Sequence, residues 1–336
     1  MLADVPNAWT GFGKSLKTRE AFMAAIRWSR VVQLLFLPLF FLFMMGPAVH
    51  WARQELNKPV TFLLLGSDNR AHNGPSRSDS IFLIRADPES GTLRGLSLPR
   101  DLYVPLQGLP LTHKQDRLNT ALFWGEYFGS KKGLAAARET VTELTGAPID
   151  AVVLVRFNLV TKLVDAIGGV EVYFEKPLAD GKFNSLKGEN SYTLRFESGW
   201  NYLDGKRALE YIRVRKPDTD FGRQNRNRQL LTRILLALQS KNNMARLIPV
   251  APSLWKEVEM QLGMMDAIRF AWALHHNTSH SIQWDAIRKD QVMPVETPRG
   301  AKVLVAEPGV LQEAGQKLMG EPQRYAAGKL AVISDQ

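Results

Sequence analysis

Between Val31 and Val49 the chain runs for 19 residues without a formal charge, V-V-Q-L-L-F-L-P-L-F-F-L-F-M-M-G-P-A-V. That is close to the ~20 apolar residues needed to cross the hydrocarbon core of a bilayer. Lys14, Lys17, Arg19, Arg27 and Arg30 precede it, against Asp4 and Glu20, and Trp28 and Trp51 bracket it. Basic residues mark the cytoplasmic flank of a span, and tryptophans gather at the membrane–water interface. The expected layout is a basic cytoplasmic segment (1–30), a transmembrane anchor (31–50) and an extracytoplasmic remainder. A buried helix of a soluble core is one alternative, a cleaved leader another. A leader's apolar stretch is normally shorter, about 7–15 residues, with a small-x-small cleavage site; Ala48-Val49-His50 lacks that pattern.

Charge and cysteine usage narrow the chemistry. The chain has 336 residues, with 43 Lys+Arg against 33 Asp+Glu, a formal net charge of +10, and no cysteine. Disulfide scaffolds, thiolate metal sites, iron–sulfur clusters and cysteine nucleophiles are excluded. The positive balance points to an anionic partner: nucleic acid, anionic lipid or phosphate. Most of the excess lies beyond the apolar run, where the topology leaves no nucleic acid to bind. Gly13-Lys14-Ser15 resembles the end of a phosphate-binding loop, but Ala8 stands where its first glycine belongs.

Past the run, strands and helices interleave. Val60–Leu65, Ser80–Ala86 and Thr92–Leu98 read as strands, the last two as a hairpin across Asp87-Pro88-Glu89-Ser90-Gly91. Helices are expected over Asn119–Phe128 and Gly133–Leu144. Ala151–Phe157 is a β-branched central strand, followed by a helix Leu159–Ile167 and a strand Val170–Phe174. Residues 175–200 read as loop with one short strand, Tyr192–Phe196. Asp204–Arg213 and Arg223–Gln239 are helical, and the helical pattern continues to about His276. Ile282–Asp285 and Val292–Val295 are weaker strands. The interleaving indicates a layered α/β domain.

Arginines and aspartates gather at the expected element boundaries. The groups are Gly66-Ser67-Asp68-Asn69-Arg70, Arg77-Ser78-Asp79-Ser80, Leu98-Pro99-Arg100-Asp101, Arg117-Leu118-Asn119, and the stretch from Arg213 to Asn227. Asp68 and Asp79 stand at the ends of neighbouring strands. Paired carboxylates with no cysteine nearby suit a hard cation such as Mg²⁺. Arginines supply forked donors for phosphate oxygens, and metal plus arginine is the usual clamp for phosphoryl transfer. Taken singly, each group also reads as a turn residue, a cap or a surface ion pair. His275, His276 and His280 lack the carboxylate of an H-E-x-x-H site.

The ordered series G-S-D-N-R, R-S-D-S, L-S-L-P-R-D-L-Y-V, R-L-N, V-D-A-I-G-G-V-E-V, L-D-G-K-R-A-L-E-Y-I-R-V-R and D-T-D-F-G-R-Q-N-R resembles the LytR–CpsA–Psr family of bacterial cell-wall proteins, from about residue 60 to 240. The resemblance implies a three-layer α/β/α domain with a central mixed sheet and an apolar cavity for a polyprenyl chain. The expected division is an extracytoplasmic catalytic α/β domain over 51–280 with a C-terminal extension over 281–336 packed on it, unless 50–336 is one domain, in a single-pass protein of the bacterial cytoplasmic membrane. The resemblance further implies a Mg²⁺-dependent phosphotransferase, with Mn²⁺ as a substitute ion. The donor would be a polyprenyl-pyrophosphate-linked glycan and the acceptor a peptidoglycan hydroxyl. Asp68 and Asp79 are then the metal ligands. Arg77, Arg100, Arg117, Arg213, Arg215, Arg223, Arg226 and Asn227 bind pyrophosphate, with Arg100 also catalytic, and Asp220 and Asp101 are candidates for general base. Two positions depart from the family's pattern: Arg117 replaces a lysine and Asn227 a glutamine. Rival readings are a pyrophosphatase acting on lipid-linked pyrophosphate and a non-catalytic lipid- or wall-binding protein.

Overall fold

The computed structural model describes residues 45–67, 74–110, 115–129, 132–183, 191–214, 220–255, 257–278 and 281–320. The described residues fall into two separate compact units, divided between residues 55 and 56. In the first, a helix, α1, is described over residues 45–56, with Gln54 hydrogen-bonded to His50 at 3.0 Å. The basic segment and residues 31–44 of the apolar run lie outside the described residues. Among the described residues no helix is long and apolar enough to cross a membrane.

The second unit is built on a six-stranded mixed sheet: β1 (Val60–Ser67), β2 (Ser80–Asp87), β3 (Thr92–Leu98), β6 (Ala151–Arg156), β11 (Glu259–Gln261) and β12 (Ile282–Ala286), in the order β11-β6-β1-β2-β3-β12. β1, β2 and β3 pair antiparallel, β1–β6 and β3–β12 parallel, and β11 caps one edge antiparallel to β6. The strands are apolar on both faces because helices cover both. Odd-numbered Leu63, Leu65, Ile81 and Leu83, with Val152 and Leu154, bury against α2 (Thr120–Phe128), α3 (Gly133–Thr145) and α10 (Val310–Met319). The alternate residues Phe62, Leu64 and Ile84 face α6 (Asp220–Ala237) and α9 (Met264–His275). β12 is a strand of this sheet, so residues 281–320 are part of the same unit.

A smaller core lies beside the sheet. It contains α4 (Phe157–Ala166), β7 (Val170–Phe174), β8 (Leu178–Phe183), β9 (Tyr192–Phe196), β10 (Gly199–Leu203) and α5 (Gly205–Arg213). β7 pairs with β10 and β8 with β9. The rings of Phe174, Phe196 and Tyr211 pack at its centre, with centroids 5.0–5.8 Å apart. The expected loop over 175–200 thus holds two further strands, and the expected helical run to His276 is interrupted by β11. Both are short or charge-rich stretches whose strand character comes from a partner rather than from their own pattern. α7 (Lys241–Leu247) and α8 (Ala251–Trp255) lead into β11. Two small hairpins complete the unit: β4 (Tyr103–Pro105) with β5 (Gln115–Arg117), and β13 (Val292–Glu296) with β14 (Lys302–Ala306).

Candidate active site

Helix α6 organises the site through a change of chemistry along one face. Asp220, Arg223, Asn227, Leu230, Leu231, Ile234 and Leu238 recur at helical spacing. The first turns are charged and polar; the later ones are aliphatic. Facing the aliphatic turns are Leu64, Phe82 and Val153 of the sheet and Leu159, Val160 and Leu163 of α4. Together they enclose a cavity of about 620 Å³, within the usual size range of small-molecule sites. Its mouth carries Asp79, Ser80, Asp180, Lys182, Arg213, Arg223 and Asn227, three cations against two carboxylates. An apolar chamber with a cationic mouth suits an amphiphile with an anionic head.

Local backbone geometry holds the mouth together. The Asp79 N–H donates to the Gly66 carbonyl at 2.6 Å, which fixes Asp79 at the end of β2 beside β1. Gly66 faces Ser80 across the ladder, where an added Cβ would meet the Ser80 Cβ at 3.1 Å. That close approach leaves the Ser80 hydroxyl free to reach Asn227, whose Nδ2 donates to it at 2.6 Å. The Asn119 N–H donates to the Arg100 carbonyl at 3.0 Å, and the Asn119 carbonyl accepts from Ser78 N–H at 3.3 Å. The R-L-N group therefore ties the Arg100 turn to the Arg77–Asp79 turn, a positioning role that its polar sequence did not announce.

Arg100 is the hub. Its Nη1 donates to Asp79, its Nη2 lies 3.3 Å from Asp220, and its buried Nε sits 3.5 Å from Asp101 without a hydrogen bond. Burial of the guanidinium lowers its pKa, but the carboxylates of Asp220, Asp79 and Asp101 outweigh that, and the net shift is upward. Arg100 is a fixed cation in every accessible pH range. Arg223 donates to the same Asp220 oxygen, and Gln224 Nε2 reaches the other at 3.3 Å. Asp220 also gains from its place in the first turn of α6, where the helix dipole favours an anion. At the mouth, the Arg213 guanidinium lies 5.6 Å from the ring centres of both Phe157 and Phe183.

The structure thus brings Asp79, Arg100, Asp101, Asp220, Arg223, Arg213 and Asn227 to one region. Other sequence-derived candidates stand apart from the cavity lining. Arg226 is buried and donates to the Val214 carbonyl, so its charge braces the turn after α5. Arg117 donates to the Lys302 carbonyl from Nε at 3.1 Å and Nη2 at 2.8 Å, with Asp101 3.6 Å from Nε. Exposed Arg77 lies 5.5 Å from the Phe123 ring centre. Asp68 and Arg215 lie outside the described residues.

Oxygen donors suited to a hard cation are present at the mouth. Asp79 lines it with a carboxylate that is 35% exposed. The Asn227 Oδ1 beside it is buried with no hydrogen-bond partner. A buried acceptor without a donor is costly, and a cation or a hydrated one would satisfy it. No cluster of three carboxylate or histidine ligands occurs among the described residues.

The sequence model of the LytR_cpsA_psr family matches residues 47–312, well past the limit near 240 set by the motifs. The polyisoprenyl-teichoic acid–peptidoglycan teichoic acid transferase TagV of Bacillus subtilis is 30% identical over 214 residues, 63% of this chain and 52% of that protein. The corresponding transferase TagU of Bacillus mycoides is 31% identical over 216 residues, 64% of each chain. The chain therefore spans between about half and just under two thirds of these relatives' length. Among solved structures, B. subtilis TagV superposes with a TM-score of 0.63 at 25% identity, covering 80% of this chain and 99% of that one. TagT bound to LIIa-WTA does so at 0.60 and 25%, covering 79% and 91%.

Proposed function

The chain belongs to the LytR_cpsA_psr family, and from that premise we propose that it is a membrane-anchored phosphotransferase moving a glycopolymer from a polyprenyl-pyrophosphate donor to a peptidoglycan hydroxyl. The observation that carries the reading is the apolar cavity of about 620 Å³ opening onto Arg213, Arg223 and Asp79, with Arg100 alongside. The lipid tail enters the aliphatic chamber. The pyrophosphate stays at the mouth, where arginine forks meet its oxygens. Arg77 and Arg215 belong to the same phosphate-binding set by family position, and Arg117 holds the Asp101 side of the site.

In the reaction, the acceptor hydroxyl oxygen forms a bond to the glycan-proximal phosphorus. The bond from that phosphorus to the bridging oxygen breaks, and polyprenyl monophosphate leaves with the electron pair. The hydroxyl proton passes to a carboxylate, with Asp220 and Asp101 the two positioned candidates. Arg100 neutralises the charge spread over the transferring phosphoryl group. Asp79, with Asp68 and the Asn227 oxygen, would hold Mg²⁺, which Mn²⁺ can replace. The ion supplies charge neutralisation at the pyrophosphate.

The test is reconstitution of the full chain with polyprenyl-pyrophosphate-linked glycan, Mg²⁺ and peptidoglycan oligomers. A covalent glycan–peptidoglycan phosphodiester is expected. Polyprenyl monophosphate released without transfer, acceptor present, would replace the reading with a pyrophosphatase. Lipid binding with neither product would replace it with a binding protein.

A further inference from the structure

A second cleft, of about 310 Å³, is lined by Asp101 and Asp220, two of the carboxylates that Arg100 contacts. Its walls are the start of α6, the short 3₁₀ turn Lys289–Gln291 and the β13–β14 hairpin. Asp101, Asp220, Lys289 and Lys302 line it with charge; Phe221, Pro294, Val303 and Leu304 supply apolar surface. The hairpin is fastened to the catalytic turn. Leu304 N–H donates to the Asp101 carbonyl at 2.9 Å, and the Arg117 guanidinium grips the Lys302 carbonyl.

The two cavities meet at one guanidinium. Arg100 reaches Asp79, which lines the large cavity, and Asp220 and Asp101, which line the cleft. A nucleophile arriving through the cleft would find its proton acceptors first and the donor's phosphate just beyond. The cleft's chemistry also differs from the cavity's. Beside the apolar side chains of Phe221, Pro294, Val303 and Leu304 it presents two exposed ammonium groups that form no ion pair among the described residues. An aromatic ring and a proline suit the C–H face of a sugar, while the lysines suit carboxylates carried beside it.

We propose that this cleft is the acceptor site, taking a glycan strand with carboxylate-bearing peptide stems, and that Lys289 and Lys302 select for those carboxylates. The assignment rests on the transferase reading above, and it makes the β13–β14 hairpin a specificity element rather than a structural appendage. Cleft lysines act through complementarity to the incoming chain, and the Asp220 and Asp101 carboxylates take the hydroxyl proton.

The experiment measures equilibrium binding of a soluble peptidoglycan fragment to the full chain in detergent, with free or amidated stem carboxylates. Wild type should prefer the free-carboxylate fragment. K289E/K302E should weaken its binding at least about tenfold and lose the preference, while K289R/K302R should stay within about threefold of wild type. The melting-temperature shift caused by polyprenyl monophosphate reports that each variant is folded. Equal affinity of wild type and K289E/K302E, or equal binding of the amidated fragment by wild type, overturns the proposal. The transfer assay separates the two claims. If wild type transfers glycan and K289E/K302E keeps its acceptor KM, the cleft assignment fails. If fragment binding depends on the lysines but wild type makes no product, the transferase reading fails and the cleft stands.

Discussion

Replacing Arg100 with alanine is the most informative single change, because one side chain faces three carboxylates. At about 4 Å and an effective dielectric near 20, each such pair is worth roughly 4 kcal/mol of gross Coulomb energy. The guanidinium is 25% exposed, so solvent screens part of that, and its own desolvation cost is recovered on deletion. Breaking fully buried pairs costs about 3–5 kcal/mol; here a loss of about 2–3 kcal/mol follows. At about 2–4 °C per kcal/mol for a large domain, the melting temperature should fall by roughly 4–12 °C. Much of the loss comes from leaving Asp79 without its cation, since Arg100 is the partner its carboxylate has among the described residues. R100A/D79N should therefore be less destabilised than the two single changes add up to, by roughly 0.5–3 kcal/mol of coupling. Transfer should fall by about 10²–10³, as when one oxyanion donor is removed. R100K should lie between, since an ammonium keeps the charge but lacks the fork that reaches three partners. The assays are thermal unfolding and product formation by mass spectrometry. R100A with transfer within about threefold of wild type and a melting temperature within about 1 °C would refute the hub role.

Three further outcomes follow from other parts of the molecule. Leu231→Trp fills the apolar cavity, so it should abolish the thermal shift given by polyprenyl monophosphate while costing no more than the about 1–3 kcal/mol of a small-to-large change, read by denaturant unfolding. Glu126, which accepts the Ser76 N–H, has a pKa raised chiefly by burial, partly offset by that hydrogen bond. A carboxylate whose folded pKa is raised penalises the fold once ionised. Wild type should therefore lose stability relative to Glu126→Gln as pH rises above about 4.5, with the difference shrinking below it, measured by unfolding across pH. Gly315 packs α10 on α3 so closely that an added Cβ would sit 1.8 Å from the Thr145 carbonyl oxygen. Gly315→Ala should cost about 1–3 kcal/mol in urea unfolding by forcing the helices apart.

Much of this architecture was readable from residue pattern. β3, β7 and β9 fall on their expected bounds, because each is a short apolar or alternating run between clear turn residues. The aspartate–arginine groups at strand ends were legible as a set, and Arg100, Asp79, Asp220 and Arg223 do converge. Three things were not legible. Strands β8, β10 and β11 depend on tertiary partners. Arg226 sits in the same basic run as Arg223, yet it turns inward to a backbone carbonyl; two helical neighbours three residues apart differ in fate by a fraction of a turn. The cleft lysines Lys289 and Lys302 are ordinary charges in weakly patterned sequence, and only the hairpin's attachment to Asp101 gives them meaning. The aliphatic half of the site was visible as helix core, but nothing in a linear pattern separates a filled core from one holding a cavity.

On the reading proposed, the large cavity holds the donor's lipid tail and presents its phosphate to the Arg100 hub. The most direct measurement is a structure of the full chain with polyprenyl monophosphate and Mg²⁺. The tail should lie among Leu231, Ile234 and Leu163, with the phosphate at Arg213 and Arg223 beside Asp79. Lipid bound outside the chamber, or a phosphate away from those arginines, would contradict it.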